Sequence, residues 1–211
     1  MKPYPRFLCS SLFSPVVLRR LVPFLLGVFA AQTVSATEIE PGTPLLSNGD
    51  FEVSTVEAHW PDHWSRPKAG SSSWEIEDGK RFLRINATAP GELVLVYRIV
   101  NIPSGVKAVE LSLRARVIGL KCGPQPWFDA RVMTDFKNAA GVKVKGARPI
   151  SFRKDTDGWI ERKVRFAVPE GAVAFEIMPS LFRTYSGTFD IDEIQLAVID
   201  PAQLNPAPAA P

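Results

Sequence analysis

Trp127 stands two, four and eight residues ahead of Asp129, Arg131 and Asp135. An aromatic ring offers a flat apolar face, and Arg and carboxylate side chains offer planar hydrogen-bonding groups. Together they could hold a sugar, whose axial C–H face stacks on a ring while its hydroxyls find polar partners. Trp127 follows Gly-Pro-Gln-Pro and leads into an alternating segment, which places it at the mouth of a loop. Trp74, Glu176 and Tyr185, with Arg114 and Arg116, could join it from neighbouring strands; the plainer role for each aromatic is packing at a rim. A second constellation is acidic. Asp50 and Glu52 flank Phe51 near residue 50, and Asp190 and Asp192 flank Ile191 near residue 190. Two carboxylates on one strand face could serve a glycosidase, could meet a cation, or could be solvated strand ends and turn caps. The only histidines, His59 and His63, have the spacing of a zinc pair, but Pro61 breaks any helix between them, so they read as loop residues. There is no Gly-x-Ser-x-Gly elbow, no phosphate loop and no Cys/His pair. Asn86-Ala87-Thr88 is a glycosylation sequon.

The elements that must position these groups are strands. Val109, Leu111, Leu113, Ala115 and Val117 alternate with Glu110, Ser112, Arg114 and Arg116. Phe128, Ala130, Val132, Thr134 and Phe136 alternate with Asp129, Arg131, Met133 and Asp135. Ile160, Val164, Phe166 and Val168 share a parity, and two further strands lie near residues 173–178 and 189–199. Glu92–Val100 is apolar on both parities and reads as a central strand covered on both sides. Asp78-Gly79, Pro90-Gly91, Asp157-Gly158 and similar pairs mark the joins. In the last strand the apolar parity slips at Asp192-Glu193, which predicts a bulge where a cation could sit. About ten strands without helices between them predict an all-β fold, a two-sheet antiparallel sandwich or jelly roll.

Residues 1–36 read as a signal peptide: Lys2, Arg6, Arg19 and Arg20, then the apolar run Leu21–Ala31, then Val34-Ser35-Ala36 as a small-x-small cleavage site. The alternative is an uncleaved anchor. The expectation is a secreted, periplasmic or extracellular protein with no membrane span after cleavage, the apolar run being shorter than the ~20 residues a span needs. The chain carries 25 basic and 22 acidic residues. Removing the four basic residues of the leader leaves 21 against 22, so the basic isoelectric point belongs to the leader and no nucleic-acid footprint is implied. Cys122 is then the only cysteine, which excludes an intrachain disulfide. Residues 37–43 read as a linker, 44–200 as one domain, and 201–211 as a Pro/Ala-rich disordered tail.

Three segments in order carry a family resemblance: LLSNGDFE (45–52), DGWIERKVRFAVPEGAVAFEIMPSL (157–181) and GTFDIDEIQL (187–196). They resemble the cellulase- and xylanase-associated carbohydrate-binding modules of families 4, 9 and 22, which are galactose-binding-domain-like jelly rolls. The resemblance implies a structural Ca2+ where the chain ends meet, held by Glu52 and Asp192 with carbonyls near Gly49; Asp50 and Asp190 are alternative ligands. Calcium takes six to eight oxygens, and carboxylates from separate strands plus carbonyls supply them. Phe51 would plug the core beside that ion. The resemblance also makes Trp64 and Trp159 core framework residues. The function it implies is a non-catalytic, monomeric module binding a poly- or oligosaccharide through Trp127, Arg131, Asp135, Tyr185, Trp74 and Glu176. Two alternatives keep the fold: an envelope structural or adhesion module without an open aromatic groove, and a small jelly-roll hydrolase or lyase. Exposure of Trp127 and Tyr185 separates the first two.

Overall fold

The computed structural model describes residues 39–204. The expected signal peptide, the first two linker residues and residues 205–211 of the expected tail lie outside them. Eleven strands follow one another: β1 (Ser71–Glu77), β2 (Lys80–Asn86), β3 (Leu93–Leu95), β4 (Arg98–Asn101), β5 (Ala108–Lys121), β6 (Ala130–Lys137), β7 (Lys143–Val144), β8 (Ile150–Phe152), β9 (Ile160–Ala167), β10 (Ala174–Phe182) and β11 (Ser186–Val198). All pairing is antiparallel. The first sheet runs β1-β2-β11-β5-β9; the second has β10 and β6 at its centre, β3 and β4 along β10, and β7 and β8 along β6. The expected jelly-roll sandwich is thus the observed fold.

The alternation read from the sequence decides what each sheet buries. Val109, Leu111, Leu113, Ala115 and Val117 of β5 are all buried, beside Leu83 and Ile85 of β2 and Phe189, Ile191 and Leu196 of β11. Val132 and Phe136 of β6 and Phe175, Ile177 and Leu181 of β10 oppose them. Phe136 meets Phe175 with ring centroids 4.7 Å apart. Each such side chain contributes about 1.5–3 kcal/mol by leaving water. The outward parity is polar on the first sheet, as expected of a sandwich with solvated outer faces.

Glu92–Val100 departs from expectation. It is not a central strand but two short edge strands, β3 and β4, hydrogen-bonded on one side to β10 alone. Its even residues Val94, Val96 and Val100 enter the core, while Leu93, Tyr97 and Ile99 are exposed. Ser65 closes part of the free edge: its N–H donates to the Tyr97 carbonyl, and its hydroxyl accepts from the Tyr97 N–H.

The Asn48-Gly49 turn organises the loop before β1 rather than a hairpin. Asn48 Oδ1 accepts the Val53 N–H, and its Nδ2 donates to the Val53 and Asp62 carbonyls. The Trp64 indole donates to the Asn48 carbonyl and the Trp74 indole to that of Phe51. Phe51, Trp60 and Trp64 are buried, as expected for Phe51 and Trp64. Gly49 packs against β11: a Cβ there would overlap the Ile194 carbonyl oxygen, and the Ile194 N–H donates to the Gly49 carbonyl at 2.8 Å. The bulge expected in β11 is present, with a register shift between Asp192 and Gln195 and Glu193 at φ 48°. Order extends past both expected boundaries. Gly42 donates to Val198, Val198 to Thr43, and Leu45 to Leu196, while Pro201–Leu204 forms a 3-10 turn at the start of the expected tail.

Candidate functional site: the outer face of the second sheet

Register builds this face row by row. Glu176 of β10 lies between Ile99 of β4 and Asp135 of β6. Met178 pairs with Met133, and Ser180 lies between Leu95 and Arg131. Phe182 pairs with Leu93. Tyr97, between β3 and β4, shares the parity of Leu95 and Ile99. The result is a band with an apolar margin (Leu93, Leu95, Tyr97, Ile99), a thioether centre (Met178, Met133) and ionic groups toward β7. Tyr97 is 46% and Ile99 50% exposed, which leaves them open to a partner. Met side chains are polarizable and adapt to the shape laid on them.

Asp135, Glu176 and Arg131 each have a counter-charge. Asp135 pairs with Lys143, and Glu176 with Lys137 at 3.3 Å. Arg131 donates to Asp129 at 2.5 Å and its guanidinium lies 5.4 Å from the Phe182 ring centroid. Such a surface carries fixed dipoles rather than a strong net field, and suits a neutral ligand with many hydroxyls.

Of the residues singled out from sequence, Arg131, Asp135 and Glu176 come together here. Arg131, however, is only 8% exposed, so it braces Asp129 and Phe182 from beneath instead of reaching outward. Trp127 is 52% exposed and stands at the end of the face, linked to it through Phe128, which is 6.1 Å away, and Phe182, a further 5.7 Å on. Tyr185 is 50% exposed, in the turn before β11, its N–H donating to the Lys121 carbonyl. Trp74 does not join them. It lies opposite Leu83 on the core side of the first sheet, its indole tied to Phe51 and its ring covered by the Arg81 guanidinium at 3.9 Å. Tyr97, Met178 and Met133 were missed. The signal was present in the double apolar parity of residues 92–100, where the second parity serves an open face rather than a second core.

Trp159 is a further correction. It is not core: it shares the parity of Glu161, on the outer side of the first sheet, and lies over Arg114 and Arg116.

The acids expected at a metal divide. Asp190 is fully buried, with Arg84 Nε at 2.7 Å on one oxygen and Arg116 Nη2 at 2.8 Å on the other; two guanidiniums exclude a cation there. Asp50 is exposed. Glu52 Oε1 accepts the Arg81 N–H at 2.8 Å. Asp192 is buried, with the Glu193 N–H on Oδ1 and Arg114 Nη1 only at 3.6 Å from Oδ2. Burial pushes its carboxyl up to about 6, and the neighbouring Glu193 charge adds to this. A buried carboxylate so poorly served is the kind of group a cation completes. Among the described residues no three His, Cys, Asp or Glu side chains converge, so a calcium here would rely on carbonyl oxygens beside Asp192 and Glu52. The histidine loop holds its shape through Asp62, which accepts from the Thr55 hydroxyl and the Thr55 and Val56 amides; the hydroxyl leads in holding its carboxyl below the usual range.

No family model and no curated protein sequence matches the chain. Solved structures share its fold. The enzymatically active domain of tailspike protein 4 from bacteriophage CBA120 superposes with a TM-score of 0.56 at 13% identity, over 74% of this chain and 21% of that one. This chain therefore spans about a fifth of the tailspike chain. The CBM22-1 xylan-binding domain from Paenibacillus barcinonensis superposes with a TM-score of 0.50 at 15% identity, over 78% of this chain and 99% of that one. The class of fold is thereby set: a two-sheet antiparallel jelly-roll sandwich, shared with both of these domains.

Proposed function

We propose that this domain is a non-catalytic carbohydrate-binding module of the family 4/9/22 type, holding a neutral polysaccharide along the outer face of the second sheet. The observation that carries the reading is the open apolar margin, Leu93 to Ile99, facing the paired carboxylates of Glu176 and Asp135. A pyranose can lay its C–H face on Tyr97 and the methionines while its hydroxyls meet the Lys137–Glu176 and Lys143–Asp135 pairs. The xylan that the Paenibacillus module's description names is a suitable first ligand. Both carboxylates are ion-paired, which presents them to sugar hydroxyls as fixed acceptors. Half-exposed Trp127 and Tyr185 favour binding over a purely structural module. Glu52 and Asp192 would hold a structural calcium, which neutralises buried charge and stands apart from the Tyr97 face. The leader expected at residues 1–36 supports export, and no described helix is long and apolar enough to cross a membrane.

The test is retention on insoluble xylan and β-glucan. Tyr97→Ala should lose at least tenfold in affinity, and Trp127→Ala should weaken it by a smaller factor. Both side chains are exposed, so the melting temperature should hold; a buried tryptophan would instead cost about 3–5 kcal/mol on truncation. Wild-type protein that passes unretained through both polysaccharides would end this reading.

A further inference from the structure

The outer face of the first sheet carries an indole that the reading above leaves unused. Trp159 precedes β9 and reaches across β5: the Cζ atoms of Arg114 and Arg116 lie 5.0 and 4.6 Å from its ring centroid. Phe82 of β2 meets it edge-on at 5.3 Å. Its Nε1 donates to Glu77 at 3.0 Å, and Glu77 pairs with Arg116 at 2.9 Å. The Arg116 hydrogen bond first, then the indole, holds the Glu77 carboxyl below the usual range. Beneath, Arg84 and Arg116 clasp the fully buried Asp190. The indole is thus fixed from its edge and from below. Phe82 is itself only 4% exposed, although it points to the solvent side.

Beside the ring opens a depression of about 330 Å³, with Trp159 and Phe82 as its aromatic wall and Lys80, Arg114, Glu77 and Asp78 around it. That is the size of a small-molecule site, and an apolar wall with a few convergent polar groups is its usual composition. The polar groups alternate in kind. Lys80 and Arg114 donate; Glu77 and Asp78 accept. Asp192 lines the depression too, so the walls carry both signs of charge, which favours a neutral ligand over an anion or an organic cation. A hydroxyl, both donor and acceptor, satisfies both kinds at once. We propose that this depression is a second sugar-binding site, independent of the Tyr97 face, taking a neutral pyranose or short neutral oligosaccharide stacked on Trp159. The two sites occupy opposite sheets, so one domain could hold two chains at once; that consequence, unlike the site itself, rests on the second sheet being a glycan face.

Proton–nitrogen correlation NMR reads each indole N–H separately. The purified protein is titrated with xylohexaose and, in parallel, cellohexaose. The Trp159 indole signal should shift with at least one of them, and should still shift in Tyr97→Ala. Trp159→Ala should abolish the binding that survives Tyr97→Ala. Lys80→Ala, which removes an exposed ammonium and its 3.0 Å contact to Glu193 but leaves Glu193 paired with Arg114, should weaken it severalfold and serves if Trp159→Ala does not fold. A Trp159 signal unmoved by millimolar concentrations of both sugars overturns the proposal, as does a Tyr97→Ala variant in which every shift is lost. If Trp159 responds and Tyr97→Ala changes nothing, the second site stands and the reading of the Tyr97 face falls.

Discussion

Asp190 shows how little a residue's type settles. In sequence it is one of two acids around Ile191 and qualifies equally as metal ligand, catalytic acid or solvated charge. Its role is decided by Arg84 and Arg116, which lie 106 and 74 residues away in the chain and occupy both its oxygens. Removing one partner of a buried ionic cluster leaves the others uncompensated, which typically costs 3–5 kcal/mol. Arg84 retains some solvent contact, so Asp190→Ala should lose on the order of 3 kcal/mol in urea denaturation, with the slope of the transition unchanged. Because the acid serves arginines and not an ion, chelator should leave that difference as it is. A variant as stable as the parent would show the cluster to be ornamental. Asp192, two residues on, has one backbone N–H and a distant guanidinium, and the contrast between the two acids is invisible without the register.

At the scale of elements, the sequence was legible wherever one face of a strand met the core and the other met water. β5 and β6 were placed by alternation alone, and the slip of parity in β11 became its bulge. It was illegible where an apolar face has no core to meet. Apolar side chains on both parities are the same signal whether the second face is covered by protein or left for a ligand, and Glu92–Val100 was misread for that reason. Trp159 was misread differently. Its position in a framework motif suggested burial, yet its parity, shared with Glu161, Lys163 and Arg165 and not with Ile160, Val164 and Phe166, already pointed outward. The Asn48-Gly49 signal was legible as a turn but not as a packing contact. Gly49→Ala places a methyl against the Ile194 carbonyl and must displace either β11 or the loop. Overpacking of this kind costs typically 1–3 kcal/mol and occasionally more. A loss on the order of 3 kcal/mol, with β11 amides near Ile194 becoming exchangeable, is the expected result; unaltered hydrogen exchange there would show that the loop and strand are not locked together.

At the scale of the whole molecule, Cys122 is the only cysteine among the described residues, so no disulfide joins two of them, and Pro44 is held to β11 by backbone pairing with Ala197. A native-state ion stabilises by mass action, by about 2.7 kcal/mol at a concentration one hundred times its dissociation constant. If calcium bridges Glu52 and Asp192, chelation should lower the melting temperature by several degrees, added calcium should restore it, and Asp192→Asn should erase the response. Identical melting curves with and without chelator, after prolonged dialysis, would remove calcium from this account.

β11 lies between β2 and β5 in the middle of the first sheet, and its C-terminal half also receives Gly42, Thr43 and Leu45. Among the described strands it is the last to leave the ribosome. Until residue 198 has emerged, the first sheet has no centre: β2 lacks its inner neighbour, Phe51 and Gly49 have no wall to close against, and Asp190 is absent from between its arginines. The first sheet therefore cannot be completed piecemeal during synthesis, as a chain of local hairpins could. It stays open until β11 is delivered between β2 and β5. A sheet built this way gains its full protection from proteases only once that central strand has arrived.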